Sequence, residues 1–169
     1  MVLRVAVGGF HQCYEFDSYI LNAVHDFSIL VRYTSTIGIT PMIQALHAIL
    51  GSQEGKRTKV TMLYGSKFAD DILGGELLHR WAADYPDQLQ VIEVLSDEPI
   101  EDSDWKGARG YIDKAMIESN FPKPSSSKFL IFVCGPPPMY NALCGAREEK
   151  EVKGLLGEIG YKPDQVYKF

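Results

Sequence analysis

Cysteine is scarce and is not placed for a covalent framework: Cys13, Cys134 and Cys144 are odd in number among 169 residues and form no CxxC pair. Neither a disulfide set nor a zinc site is expected, and a reducing, cytoplasmic setting is the simplest expectation. The four histidines, His11, His25, His47 and His79, lack metal-ligand spacing, so no metal is expected. Positive charge is in deficit, with 17 Lys and Arg against 22 Asp and Glu. A net charge of -5 argues against nucleic acid or an anionic membrane as main partner, since both need a positive surface, and leaves a basic protein partner open. No apolar run reaches the roughly 18 to 20 residues that span a bilayer, which excludes a transmembrane helix. Residues 2–10 are mildly apolar and hold Arg4, but Glu15 and Asp17 follow without a small-residue cleavage pattern. That stretch therefore reads as a buried strand rather than a signal peptide. GxSxG, Walker-loop and HExxH motifs are missing, so hydrolase and kinase chemistry gain no support. There is no internal repeat and no long low-complexity segment.

What is present is alternation. From Ser28 onward short apolar runs alternate with amphipathic stretches, the pattern of an α/β domain with an open, mostly parallel sheet and helices on both faces. A hydrophobic fraction of 46% suits one domain with a substantial core. Strands are expected at residues 29–33, 59–64, 89–95 and 128–134, each rich in β-branched or aromatic residues. A first helix is expected after Thr40 as N-cap and Pro41 as first helical residue, with Met42, Ala45, Leu46 and Ile49 inward and Gly51 as its stop. A second is expected over residues 70–83, with Leu73, Leu77 and Trp81 on one stripe and Asp70 and Asp71 at its positive end. A third is expected over 111–119, with Ile112, Ala115 and Met116 inward and a flexible loop over 121–127 behind it. Residues 1–30 stay unassigned: Val2, Val5 and Val7 suit a strand and residues 19–27 a helix, without turn chemistry to decide. The domain proper is placed at 31–169.

In an open parallel sheet ligands bind beyond the carboxyl ends of the strands. Four landmarks fall there: Gly38-Ile39-Thr40-Pro41-Met42; Tyr64-Gly65 leading to Asp70-Asp71-Ile72-Leu73; Trp105 with Gly110-Tyr111-Ile112; and Cys134-Gly135-Pro136-Pro137-Pro138-Met139. The first is a strand-to-helix turn whose free N–H groups and dipole favour the pyrophosphate of a dinucleotide. The last ends the most apolar strand with a small soft side chain and an open backbone. Pro136 to Pro138 then stiffen the turn as a wall for an aromatic ring.

In order and spacing these landmarks resemble the nucleotide-binding half of the NADH-cytochrome b5 reductase family, within the ferredoxin reductase superfamily, over residues 36–169. The resemblance implies a ferredoxin reductase-like NAD-binding domain with NADH as ligand, hydride transfer to FAD, and a haem protein as electron acceptor. It implies that Gly38, Ile39, Thr40, Pro41, Gly135, Pro136, Pro137 and Met139 hold the cofactor. Asp71 would favour NADH over NADPH at the adenosine ribose, and Cys134 would face the nicotinamide without acting as a nucleophile. Phe169 would match the aromatic beside the flavin or nicotinamide; chain ends ordinarily fray, so its ordering is expected to need the flavin domain or a substitute. Cys144 reads as plain core.

The chain departs from the family where two glycines and a threonine become Ser35, Thr36 and Ile37; β-branched side chains there are stiff and bulky beside a phosphate. Arg32-Tyr33-Thr34-Ser35 spells the family's flavin motif, but it stands in the first nucleotide-binding strand and reads as coincidence. The flavin-binding barrel is expected to be absent. Three readings stay open: a reductase domain incomplete alone, one subunit of a split flavin reductase, or a non-catalytic fold retained as an interaction protein.

Overall fold

The computed structural model describes residues 3–6, 13–16, 26–32, 39–51, 57–99 and 104–169. Strands β1 (Leu3–Ala6) and β2 (Cys13–Phe16) pair antiparallel, with β1 against the first helix. The strand expectation for the N-terminus is met there; the candidate helix over 19–27 lies mostly outside the described residues, and its end is strand. The remaining elements, in chain order, are β3 (Asp26–Arg32), α1 (Thr40–Gly51), β4 (Lys59–Ser66), α2 (Gly75–Asp84), β5 (Leu89–Leu95), β6 (Ala108–Arg109), α3 (Lys114–Asn120), β7 (Phe129–Cys134), α4 (Pro137–Leu143), α5 (Gly154–Ile159) and β8 (Val166–Lys168).

Strands β3 to β8 form a sheet in the order β6-β5-β4-β3-β7-β8, with every neighbouring pair parallel. Parallel neighbours need crossover connections, and these cover both faces. The strands are accordingly apolar on both sides. Along β7, Phe129, Ile131 and Val133 enter a core shared with Met139, Tyr140 and Leu143 of α4, Ile117 of α3 and Leu156 of α5. Phe132 and Cys134 enter the opposite core, with Met42, Leu46 and Ile49 of α1 and Leu78 of α2. Each such fully buried large side chain contributes roughly 1.5–3 kcal/mol of apolar burial.

The helices report where local pattern yields to local geometry. α1 ends at Gly51 as expected but starts one residue early: Thr40 is its first helical residue, and Ile39 rather than Thr40 stands at the cap, its carbonyl accepting from Ile43 N–H at 2.9 Å. The single helix expected over 70–83 is instead divided. A 3-10 turn spans Ala69–Asp71, Gly74 takes φ +69°, and α2 begins at Gly75. The physical cause is Gly74-Gly75 together with the Tyr64 hydroxyl, which donates to Leu73 O at 3.2 Å and accepts from Leu73 N–H at 3.1 Å. Leu73 is thereby held out at 38% exposure, Leu78 is the buried residue of α2, and Glu76 is the acid in its first turn.

The third helix starts three residues later than expected. Asp113 caps it by accepting from Met116 N–H at 2.8 Å, and Ile117 points inward while Ala115 is exposed. The loop over 121–127 is present but tied down: Phe121 is buried, Tyr161 donates to Pro122 O at 2.7 Å, and Gln165 Nε2 donates to Pro124 O at 2.9 Å.

Candidate functional site

The chain enters the sheet at β3, builds outward through β4, β5 and β6, then returns to the other side of β3 for β7 and β8. The connection leaving β3 packs as α1 on one face, and the one leaving β7 packs as α4 on the other. The crevice of such a sheet opens where neighbouring connections diverge, here at the carboxyl ends of β3 and β7. The fourth landmark begins there, Cys134 being the register partner of Val31, and Ile39 and Met42 of the first share a core with Cys134. Gly38, with Ser35, Thr36 and Ile37, lies outside the described residues. Ile39 and Pro41 are buried and Thr40 is exposed at the start of α1.

On the β7 side, Gly135 and Pro136 are half-buried, Pro137 is exposed and Met139 is buried. Pro136 precedes α4 and Pro137-Pro138 open it, so two of the first N–H groups, which a helix start ordinarily leaves without partners, are missing. The turn is a rigid wall rather than a phosphate cradle.

Cys134 is 5% exposed. Burial pushes its thiol up to about 11, against smaller lowering influences from Arg147 and from a hydrogen bond with Tyr140, so it is a neutral thiol at physiological pH. Cys144 is wholly buried and also pushed up to about 11 by burial, as a core residue should be. Phe169 continues β8 alongside β7: its N–H donates to Val133 O at 3.0 Å and its ring is 3% exposed. Edge-to-face contacts with Phe132 at 5.4 Å and Tyr167 at 4.9 Å hold it against this chain's own aromatics. The Tyr140 hydroxyl donates toward Val133 O and Phe169 O, and burial raises its pKa far above the ordinary phenol value.

A crevice of about 390 Å³ opens on the α4 face, above the ends of β4 and β5, with Ser66, Val94, Ser96, Tyr111 and Met139 in its lining. It is mostly apolar, with few polar groups. Ser66 Oγ is buried and has no hydrogen-bond partner among the described residues. Ser96 Oγ donates to Asp97 Oδ2 at 2.8 Å. Tyr111 stands at 63% exposure beside Gly110, which has φ +92° and needs the freedom of glycine. Arg109 holds the approach to this wall by donating to Glu98 O, Pro99 O and Trp105 O.

Asp71 sits beyond the end of β4 but is not in the crevice lining; its Oδ2 accepts from Phe68 N–H at 3.3 Å within its own turn. Sequence reasoning passed over Ser66, Ser96 and Asp97. Their only signal was position: Ser66 ends β4, and Ser96 and Asp97 are the first two residues after β5. Among the described residues no group of three or more His, Cys, Asp or Glu is placed to hold a metal, and no helix is long and apolar enough to cross a membrane.

An open parallel sheet with such a crevice beyond the carboxyl ends of its strands defines a nucleotide-binding α/β domain. The family model described as oxidoreductase NAD-binding domain matches residues 37–145, and the chain belongs to that family. It is 40% identical over 136 residues to NADH-cytochrome b5 reductase 2 of Neurospora crassa, a match covering 78% of this chain and 38% of that protein. The chain spans about two fifths of the length of the curated relatives it matches, 38% of one and 44% of another. Among solved structures it is similar to the cytochrome b5 reductase domain of Ulva prolifera nitrate reductase (TM-score 0.69, 25% identity, 86% of this chain and 50% of that one). It is also similar to the CS-b5R domains of human Ncb5or in an NAD+ form (TM-score 0.69, 26% identity, 91% of this chain and 39% of that one). The resemblance drawn from the four landmarks agrees with these relatives.

Proposed function

We propose that this chain is the NADH-binding part of a cytochrome b5 reductase-like oxidoreductase, which passes hydride to a FAD held by another subunit or by a further segment of a longer protein. The nucleotide-binding unit would begin with β3, at Asp26 rather than at residue 31, and the flavin would pass electrons to a haem protein in the cytoplasm. The observation that supports this reading is the crevice beyond the carboxyl ends of β4 and β5, which brings together Gly65, Gly110, Tyr111, Ile112, Pro138 and Met139 from three of the four landmarks.

The residues present fit a dinucleotide. A crevice of about 390 Å³ with apolar walls and one buried hydroxyl lacking a partner suits an adenosine half, which has flat faces and a hydrogen-bonding edge. The pyrophosphate would lie over Gly38, Ile39, Thr40 and Pro41, and the nicotinamide beside Cys134, Gly135 and Phe169. NADH supplies the hydride; the chain's own part is to bind, orient and keep water away. A neutral Cys134 thiol packs against the ring without competing as a nucleophile. Asp71 is the proposed NADH-favouring carboxylate, with Asp97 as a second one joined to the crevice through Ser96.

Titration with NADH, followed by its fluorescence, should show saturable binding, and none up to millimolar levels would overturn the proposal. That negative result would favour the second reading, a fold kept as an interaction protein, for which the observation is Ser35-Thr36-Ile37 in place of the family's smaller phosphate loop. Capture from cell extract of a partner bearing yellow flavin absorbance would mark the split reductase.

A further inference from the structure

Tyr140 has no role in the nucleotide reading, yet it is tied to the two groups that bound the proposed nicotinamide position. It is 4% exposed on α4, and its hydroxyl reaches Val133 O at 3.2 Å and, closer, Phe169 O. The register of β7 with β8 runs Ile131 to Val166, Phe132 to Tyr167 and Val133 to Lys168, which makes Cys134 and Phe169 the next pair. A phenol has one proton to donate, so it serves one main-chain oxygen fully at a time. When Phe169 is in place the shorter bond goes to it. When Phe169 leaves, Val133 O is still within reach, and the buried hydroxyl is not orphaned. Opening therefore costs only the difference between the two bonds and spares the penalty of an unsatisfied buried hydroxyl.

We propose that Tyr140 is a positioning residue whose hydroxyl latches Phe169 over Cys134 and so sets how often that edge opens to the nicotinamide end of a ligand. The identity of the ligand rests on the NADH reading; the latch does not. The test is Tyr140→Phe in the full chain, which keeps the ring and removes the bond. Alkylation by iodoacetamide, with each cysteine followed by peptide mass spectrometry, should speed up at Cys134 by up to about five-fold, the ceiling set by one neutral hydrogen bond, while Cys144, in the opposite core with Tyr140 itself, stays unchanged. NADH should bind about five-fold more tightly to the variant, with ADP-ribose, which lacks the nicotinamide, unaffected.

Equal Cys134 rates in the two proteins would overturn the latch. So would parallel acceleration of Cys144, since that is general loosening. Should NADH bind neither protein, the nucleotide reading alone fails, and the labelling still decides the latch.

Discussion

At the scale of single residues, the carboxyl edge keeps polar groups that stability alone would not select. The Ser66 hydroxyl is buried without a partner among the described residues, and an unmet buried hydroxyl costs roughly 1–3 kcal/mol. Ser66→Ala should therefore raise the stability of the ligand-free chain by about 1 kcal/mol in urea unfolding while weakening NADH binding. Loss of stability with unchanged affinity would show that the hydroxyl serves the fold. The carboxylates divide in a similar way. Asp71→Ala should narrow the preference for NADH over NADPH by roughly five-fold, the scale of one charge repulsion in water, measured as a ratio of dissociation constants. An unchanged ratio in that variant with a narrowed one in Asp97→Ala would move the role to the Ser96–Asp97 pair, because Asp71 Oδ2 is already used by Phe68 N–H.

At the scale of elements, caps rather than propensities decide the boundaries. Asp113 starts α3 by accepting Met116 N–H, so Asp113→Ala should cost about 1 kcal/mol in thermal or urea unfolding, and Asp113→Asn should recover most of it. Strands β3, β4, β5 and β7 were legible beforehand, though β3 starts at Asp26 rather than 29, and the short edge strands β6 and β8 were not. β7 was expected at 128–134 and is Phe129–Cys134, because a strand buried on both faces must be a continuous apolar run. α2 and α3 were misjudged at their starts. Periodicity carries through Asp70-Asp71-Ile72-Leu73 without a break, and only the contact of Tyr64 with Leu73 shows that this segment is pinned as a turn. Likewise Tyr111 and Ile112 have helical letters but precede the Asp113 cap, which frees Tyr111 to stand over the crevice.

At the scale of the whole molecule, one sheet joins two cores, and each core hides a thiol. Cys134 and Cys144 have folded-state pKa values raised from 9.0 to about 11 by burial. Above pH 9 the unfolded chain releases these protons and the folded chain does not, so the stability present below pH 9 is lost as pH rises through about 11. The expected loss is of order 2 kcal/mol per thiol, and Cys134→Ala should flatten the decline seen by urea unfolding between those pH values. A curve as steep as the parent's would show that this thiol is not desolvated on folding.

The amino-acid sequence by itself determined the alternation of strand and helix and the family landmarks. Apolar runs, a Thr-Pro helix start and a Cys-Gly-Pro turn are local chemical needs, readable wherever they stand. Only the tertiary structure decided that β3 and β7 are neighbours, that Ser66 and Ser96 share a crevice wall with Met139, and that Phe169 lies ordered against Phe132 and Tyr167. Those are distances between residues far apart in the chain, and a serine or a terminal phenylalanine carries no local pattern that announces its neighbours.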